Sequence, residues 1–123
     1  MNAPAFANPA ATFTVAGSPF LSARQMAETL GVTMTELAEL TGIARNTLAA
    51  AKSARKADAA LSPLARIIAM AAEMAGNEQR AAIWFKHQPI PGWAGKTAYD
   101  LVKEGKAEKV LAYLEAVRSG VYA

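Results

Sequence analysis

The stretch TELAELTGIARNTLAAAK, Thr35 to Lys52, decides how the chain is read. Leu37-Ala38, Gly42-Ile43 and Thr47-Leu48 fall at the offsets that two short helices crossing at a turn require. Ala38 is small enough for a close crossing, and Gly42 stands where the turn calls for positive φ. Leu37, Leu40, Ile43 and Leu48 then form the inward seam. The pattern fits a DNA-reading helix-turn-helix. A plain αα-hairpin in a helical core is the alternative that the same residues could build.

Charge favours the first reading. The chain of 123 residues carries a formal charge of only +3, but that charge is unevenly spread. Residues 1–44 hold Arg24 against Glu28, Glu36 and Glu39. Residues 45–66 hold Arg45, Lys52, Arg55, Lys56 and Arg66 against Asp58 alone. Positive charge is thus gathered on and after the second helix of the pair, where a DNA reader displaces counterions. In a recognition helix starting at Arg45, Arg45 suits guanine O6/N7 and Asn46 suits adenine N6/N7, with Thr47 beside them. Ala49 offers an apolar contact of the kind a thymine methyl accepts. Lys52, Arg55 and Lys56 would hold phosphates. So few reading residues imply modest affinity per monomer, so a homodimer on two half-sites is the expected binding unit.

Composition sets the class. Apolar residues make up 53% of the chain and alanine dominates them, which favours helices with a thin core, hence an all-α fold. The absence of cysteine excludes disulfides and thiolate metal sites. Pro4 and Pro9, with no basic residue before Arg24, argue against a signal peptide, and the apolar run Ala59 to Ala75 is too short to span a bilayer. A cytoplasmic protein with no membrane association is expected.

Outward from the hairpin, residues 1–18 read as a flexible, uncharged arm with Phe6 and Phe13 as sticky points. Ser22 with Gln25, and Thr33 with Glu36, start two helices that Gly31 and Gly42 end. A third helix is expected from about Arg45 to Ser53, followed by a basic link, Ser53 to Leu61. Ser62-Pro63 reads as an N-cap with proline at the first helical position. Leu64, Ile67, Ile68, Ala71, Ala72 and Ala75 then mark an amphipathic helix closed by Gly76. Asn77 caps a helix carrying Ile83, Trp84 and Phe85, which must stop near His87 because Pro89 and Pro91 follow. After the loop QPIPGWAGK, Thr97 and Asp100 cap a short helix, Ala98 to Glu104. The last helix, Ala107 to Ser119, has the inner stripe Val110, Leu111, Leu114 and Val117. Three regions follow: the arm 1–18, a helix-turn-helix domain 19–76, and a C-terminal domain 77–123.

Catalysis finds no candidate residues. Gly95-Lys96-Thr97 lacks the upstream glycine of a phosphate loop, since Ile90 stands there, and no buried strand precedes it. His87, the single histidine, has no second ligand or nucleophile to serve and suits a helix C-terminus. Glu104, Glu108 and Glu115 among Lys103, Lys106 and Lys109 read as a solvated face with i,i+4 pairs. No metal, cofactor or enzymatic activity is expected. Trp84 reads as core, whereas Trp93, between glycines in a proline-bearing loop, reads equally as core or as an exposed interface residue.

From Trp84 onward the chain resembles the toxin-binding domain of Xre/MbcA/ParS-type antitoxins. The resemblance rests on Trp84, the proline-containing loop, Gly95-Lys96-Thr97, Asp100-Leu101-Val102, Gly105, Val110-Leu111 and Gly120-Val121-Tyr122, in that order over forty residues. With the upstream helix-turn-helix it covers about residues 22–123. The loop is a residue longer than is usual in that family, and Ala98 stands where proline often follows the threonine. The resemblance implies an Xre-like helix-turn-helix bundle followed by a small helical toxin-binding domain, in the antitoxin of a type II module. The partner it implies is a RES-domain toxin, an NAD⁺-consuming enzyme whose active site the antitoxin covers, while the protein binds its own operator DNA. Trp93, Gly95, Lys96, Thr97, Asp100, Val121 and Tyr122 are the toxin-contact residues it implies. The alternative is a stand-alone dimeric regulator whose C-terminal domain serves oligomerisation only.

Overall fold

The computed structural model describes residues 20–120. The expectations for the arm 1–18, including Phe6 and Phe13, and for Val121 and Tyr122 lie outside the described residues. Seven α-helices are found among the described residues: α1 (Ala23–Leu30), α2 (Met34–Thr41), α3 (Arg45–Ala49), α4 (Ala54–Ala75), α5 (Glu78–His87), α6 (Ala98–Lys103) and α7 (Ala107–Arg118). No strand interrupts them, and the fold is all-α, as composition required.

Local capping chemistry sets most of the boundaries. Thr33 Oγ1 accepts from the Glu36 N–H at 3.0 Å and Glu36 Oε1 accepts from the Thr33 N–H at 2.8 Å, a complete capping box. Thr97 and Asp100 repeat the device at 3.2 and 3.0 Å. Each cap satisfies helix N–H groups that have no partner within the helix, and is worth about 1 kcal/mol. Gly42 closes α2 at φ 72° with nothing within 4 Å of a would-be Cβ, so the turn needs its left-handed backbone and not its small size.

The organising element is α4. Its 22 residues carry the buried stripe Ala57, Leu61, Leu64, Ala65, Ile67, Ile68 and Ala71. Helices α3 and α1 pack on α4, as do α5 and α7, while α6 links α2 to α5 and α7. Buried residues from Leu21 to Leu114 form one hydrophobic cluster, with Met26, Leu30, Leu37, Phe85, Leu101 and Val110 fully enclosed. Leu37, Leu40 and Leu48 are buried as the seam predicted, and Ile43 is half-buried.

Three expectations are overturned here. The segment read as a basic link is the first part of α4, and Ser62-Pro63 lies inside that helix, not at its start. Burial decides this: Ala57 and Leu61 extend the apolar stripe one turn after another, and Asp58 Oδ1 accepts from the Leu21 N–H at 2.8 Å, tying the segment to the start of α1. Alanine at positions 54, 57, 59 and 60 keeps that stretch helical and leaves room for the proline ring. The expected helix Arg45 to Ser53 is also broken. It stops at Ala49, Ala50 is extended, and residues Ala51–Ser53 form a 3₁₀ turn. Ser53 Oγ donates to the Thr47 and Ala50 carbonyls at 2.7 and 3.2 Å, satisfying groups that the end of α3 leaves open. Third, the acidic residues do not make the i,i+4 ladder foreseen for the C-terminal face. Glu104 pairs with Lys96 and Lys106, and Arg118 reaches both Glu115 and Glu73.

Candidate functional site

The structure presents two candidate faces. The first surrounds α3. Arg45, Asn46 and Ala49 are exposed on one side of the helix, and Leu48 is buried on the other. Thr47 is half-buried. Lys52, Arg55 and Lys56 are exposed on the 3₁₀ turn and the first turn of α4. No ion pair engages Arg45, Lys52, Arg55 or Lys56 among the described residues, so their charge faces solvent uncompensated. The Arg55 guanidinium lies 5.9 Å from the centre of the Phe20 ring, which steadies a side chain otherwise free to wander. A groove of about 670 Å³ runs beside this face, lined by Phe20, Leu21, Arg24, Met34, Arg45 and Ala49 among others. All seven residues assigned to DNA therefore share one region, even though the helix carrying them is shorter than sequence reading gave.

The second face is the loop between α5 and α6. Its base is closed by an antiparallel bridge between Pro89 and Thr97. The Ile90 N–H donates to the Lys96 carbonyl at 2.8 Å, and the Lys96 N–H donates to the Trp93 carbonyl at 3.0 Å. Ile90 itself is only 2% exposed and anchors the loop in the core. Above that base the backbone turns through left-handed conformations at Gly92, Ala94 and Gly95 (φ 87°, 54° and 84°). Ala94 is the one non-glycine residue with positive φ among those described, a locally strained position held by its surroundings.

Side chains brace the same loop. Trp93 is half-buried, and the Lys106 ammonium stands 5.5 Å from its ring centre. Lys96 Nζ lies 2.7 Å from Glu104 and Lys106 Nζ 3.3 Å from it, so one carboxylate joins two lysines from either side of α6. The hydrogen bond from Lys96, then that from Lys106, holds the Glu104 carboxyl below the ordinary carboxylate range. Beneath the loop, Tyr99 packs edge-to-face against Phe85 with ring centres 6.0 Å apart. Burial first, and the carboxylates of Glu36, Glu39 and Asp100 after it, push the Tyr99 hydroxyl up.

Of the residues assigned to toxin contact, Trp93, Gly95 and Lys96 stand together on this loop, while Thr97 and Asp100 use their side chains in the capping box at its foot. Sequence reading missed Glu104 and Lys106 as loop braces and Ala94 as a left-handed residue. The pairings are non-local, and only the glycines flanking Trp93 carried a signal for the backbone. It also missed a small apolar groove between α4, α5 and α7, about 230 Å³, lined by Met74, Trp84, Tyr113 and Val117 among others. Trp84 is half-buried there, packed on the core yet reaching its edge. Among the described residues no cluster of His, Cys, Asp or Glu could hold a metal ion, and no single helix is long and apolar enough to cross a membrane.

Two family models match the chain. Residues 9–68 match the antitoxin Xre-like helix-turn-helix domain, and residues 70–120 match the antitoxin Xre/MbcA/ParS C-terminal toxin-binding domain. No curated protein and no solved structure matches. Both matches fall on the elements described above, one on the α1–α4 bundle with its solvent-facing cations, the other on the braced loop and the helices around it. The chain belongs to the Xre/MbcA/ParS-type antitoxins and is the antitoxin of a toxin–antitoxin system.

Proposed function

We propose that the protein neutralises a RES-domain toxin of the NAD⁺-degrading kind by covering its active site, and that it binds its own operator DNA as a homodimeric autorepressor in the cytoplasm. The protein acts by binding, not by catalysis. Residues 19–76 carry the DNA role and residues 77–123 the toxin role, and Gly76, which caps α4, ends the first. The observation that carries the toxin role is the match of residues 70–120 to a toxin-binding domain whose most elaborately braced segment is the Trp93 loop. Trp93, Gly95 and Lys96 form the contact surface, Thr97 and Asp100 fix its foot, and Val121 and Tyr122 extend the contact from the C-terminal tail. The operator role is supported by Arg45, Asn46, Thr47 and Ala49 on α3, with Lys52, Arg55 and Lys56 beside them for phosphates.

The test is co-expression with the product of the adjacent gene. Alone, that product should arrest growth and deplete cellular NAD⁺. With the antitoxin present, growth and NAD⁺ should recover and the two proteins should co-purify. A neighbour that is harmless alone, or that does not co-purify, would sink the reading. Arrest with intact NAD⁺ would keep the antitoxin and discard the RES assignment.

A further inference from the structure

The groove beside α3 holds a cation that the residues assigned to DNA leave out. Arg24, on the first turn of α1, forms part of its wall together with Arg45, Ala49, Ala50, Ala51 and Met34. Arg24 is exposed, and no ion pair engages it among the described residues, although Glu28 stands one helical turn further along α1. Along the chain this arginine belongs to the acidic segment 1–44, where it is the single cation against Glu28, Glu36 and Glu39. The fold separates those charges. Glu36 Oε1 accepts from the Thr33 N–H in the α2 capping box, Glu39 pairs with Lys103 of α6 at 3.9 Å, and none of the three glutamates lines the groove. Among the described residues, every charged side chain that lines it is an arginine. Arg55 brings a further guanidinium close by, 5.9 Å from the centre of the Phe20 ring, and Phe20 is itself a wall residue. The nearby carboxylate, Asp58, is engaged by the Leu21 N–H at 2.8 Å.

A wall charged in this way selects an anion. Its apolar remainder says which kind. A small free anion gains nothing from alanine and methionine, whereas a DNA strand brings its phosphates together with the apolar face of deoxyribose. The groove runs beside the exposed side of α3, where a strand bordering the major groove has to pass. We propose that Arg24 binds a backbone phosphate of DNA, so that α1 grips the duplex alongside α3 and the stretch from Lys52 to Lys56. The inference rests on the operator reading given above and deepens it. Lys52, Arg55 and Lys56 come from one short stretch of chain and hold the backbone near one point. Arg24 comes from another helix and adds a second point, and two points fix the angle at which α3 enters the groove. A phosphate contact carries no base information, so Arg24 sets affinity and docking angle and leaves sequence preference to Arg45 and Asn46.

Fluorescence anisotropy of the full chain with operator and scrambled duplexes tests this, over a series from about 50 to 200 mM salt, with Arg24→Gln and Arg24→Lys as variants. Each phosphate neutralised contributes about 0.9 to the fall of log affinity with log salt. Arg24→Gln should reduce that slope by about 0.9 on both duplexes, so its loss of affinity shrinks by about 3.5-fold across the series. The loss should be equal on operator and scrambled DNA. Arg24→Lys keeps the charge and should keep most of the slope. An unchanged slope in Arg24→Gln would overturn the proposal, and a loss of affinity without a change of slope would mark a role in holding the fold instead. A loss confined to the operator would make Arg24 a base reader and overturn it as well. In each of these cases a wild type that prefers the operator leaves the operator reading standing. A wild type that binds both duplexes equally, with the slope effect intact, would uphold the phosphate contact and discard the operator reading. A wild type that binds neither duplex would overturn both.

Discussion

Arg45 and Ala94 show how much single positions carry. Arg45 is exposed on the first turn of α3 with no counter-charge among the described residues. Arg45→Ala should weaken operator binding by roughly 1–3 kcal/mol, about five- to 150-fold, with a loss of preference at one base pair. Fluorescence anisotropy with operator and scrambled duplexes measures it, and unchanged affinity would mean that α3 docks otherwise. Ala94 holds φ 54° in the braced loop. Ala94→Gly removes the Cβ penalty of that conformation and should raise stability by about 0.5–1 kcal/mol, read as a higher melting temperature. Glu104 supplies a pH dependence. Its two lysine partners lower its folded pKa below the unfolded value, so its contribution is complete above the ordinary carboxylate range and is lost as pH falls through the folded value. With Trp84 replaced by Phe, Trp93 fluorescence should change on acidification to below the ordinary carboxylate range. Glu104→Gln should make that emission the same on both sides of the step. An unaltered acid profile in the variant would show that another group controls the loop.

At the scale of elements, α4 holds an unusual feature, a proline nine positions inside a continuous helix. Pro63 cannot donate to the Ala59 carbonyl, and Ala59 is exposed, which lets water take the vacant acceptor. Pro63→Ala restores the bond and should stabilise the protein by about 1–3 kcal/mol in thermal or urea unfolding. An unchanged or lower midpoint would show that the ring fills space the alanine leaves empty. This helix also marks where sequence reading stopped being sufficient. The boundaries at Thr33, Gly42, Asn77 and Thr97 were legible because their caps are made within three or four residues. Ser62-Pro63 carries the same local signature as those starts, and only distant partners overrule it. Leu21 bonds Asp58 across 37 positions, and the core buries Ala57 and Leu61. Likewise the cations around α3 were legible as a charge run. The brace of Trp93 was not, because Lys96, Glu104 and Lys106 meet only once α6 has turned the chain between them.

At the scale of the whole molecule, both matched regions draw on one core. Lys86 of α5 donates to the Gly31 carbonyl at the end of α1, and α2 packs on α6 across the same divide. Thermal unfolding should therefore be a single transition with calorimetric and van't Hoff enthalpies equal. Two resolved transitions would show that the halves fold separately. The two family matches end at residue 68 and begin at residue 70, so their junction falls in the interior of α4 and not in a linker. Relatives that exchange halves must then splice one helix into another in phase. One residue inserted at Ala69 turns everything beyond it by about 100° and advances it 1.5 Å, while seven return it to within about 20°. Here, phase along a single helix takes the place that linker length holds in other two-part proteins, as the quantity that recombination between relatives has to preserve.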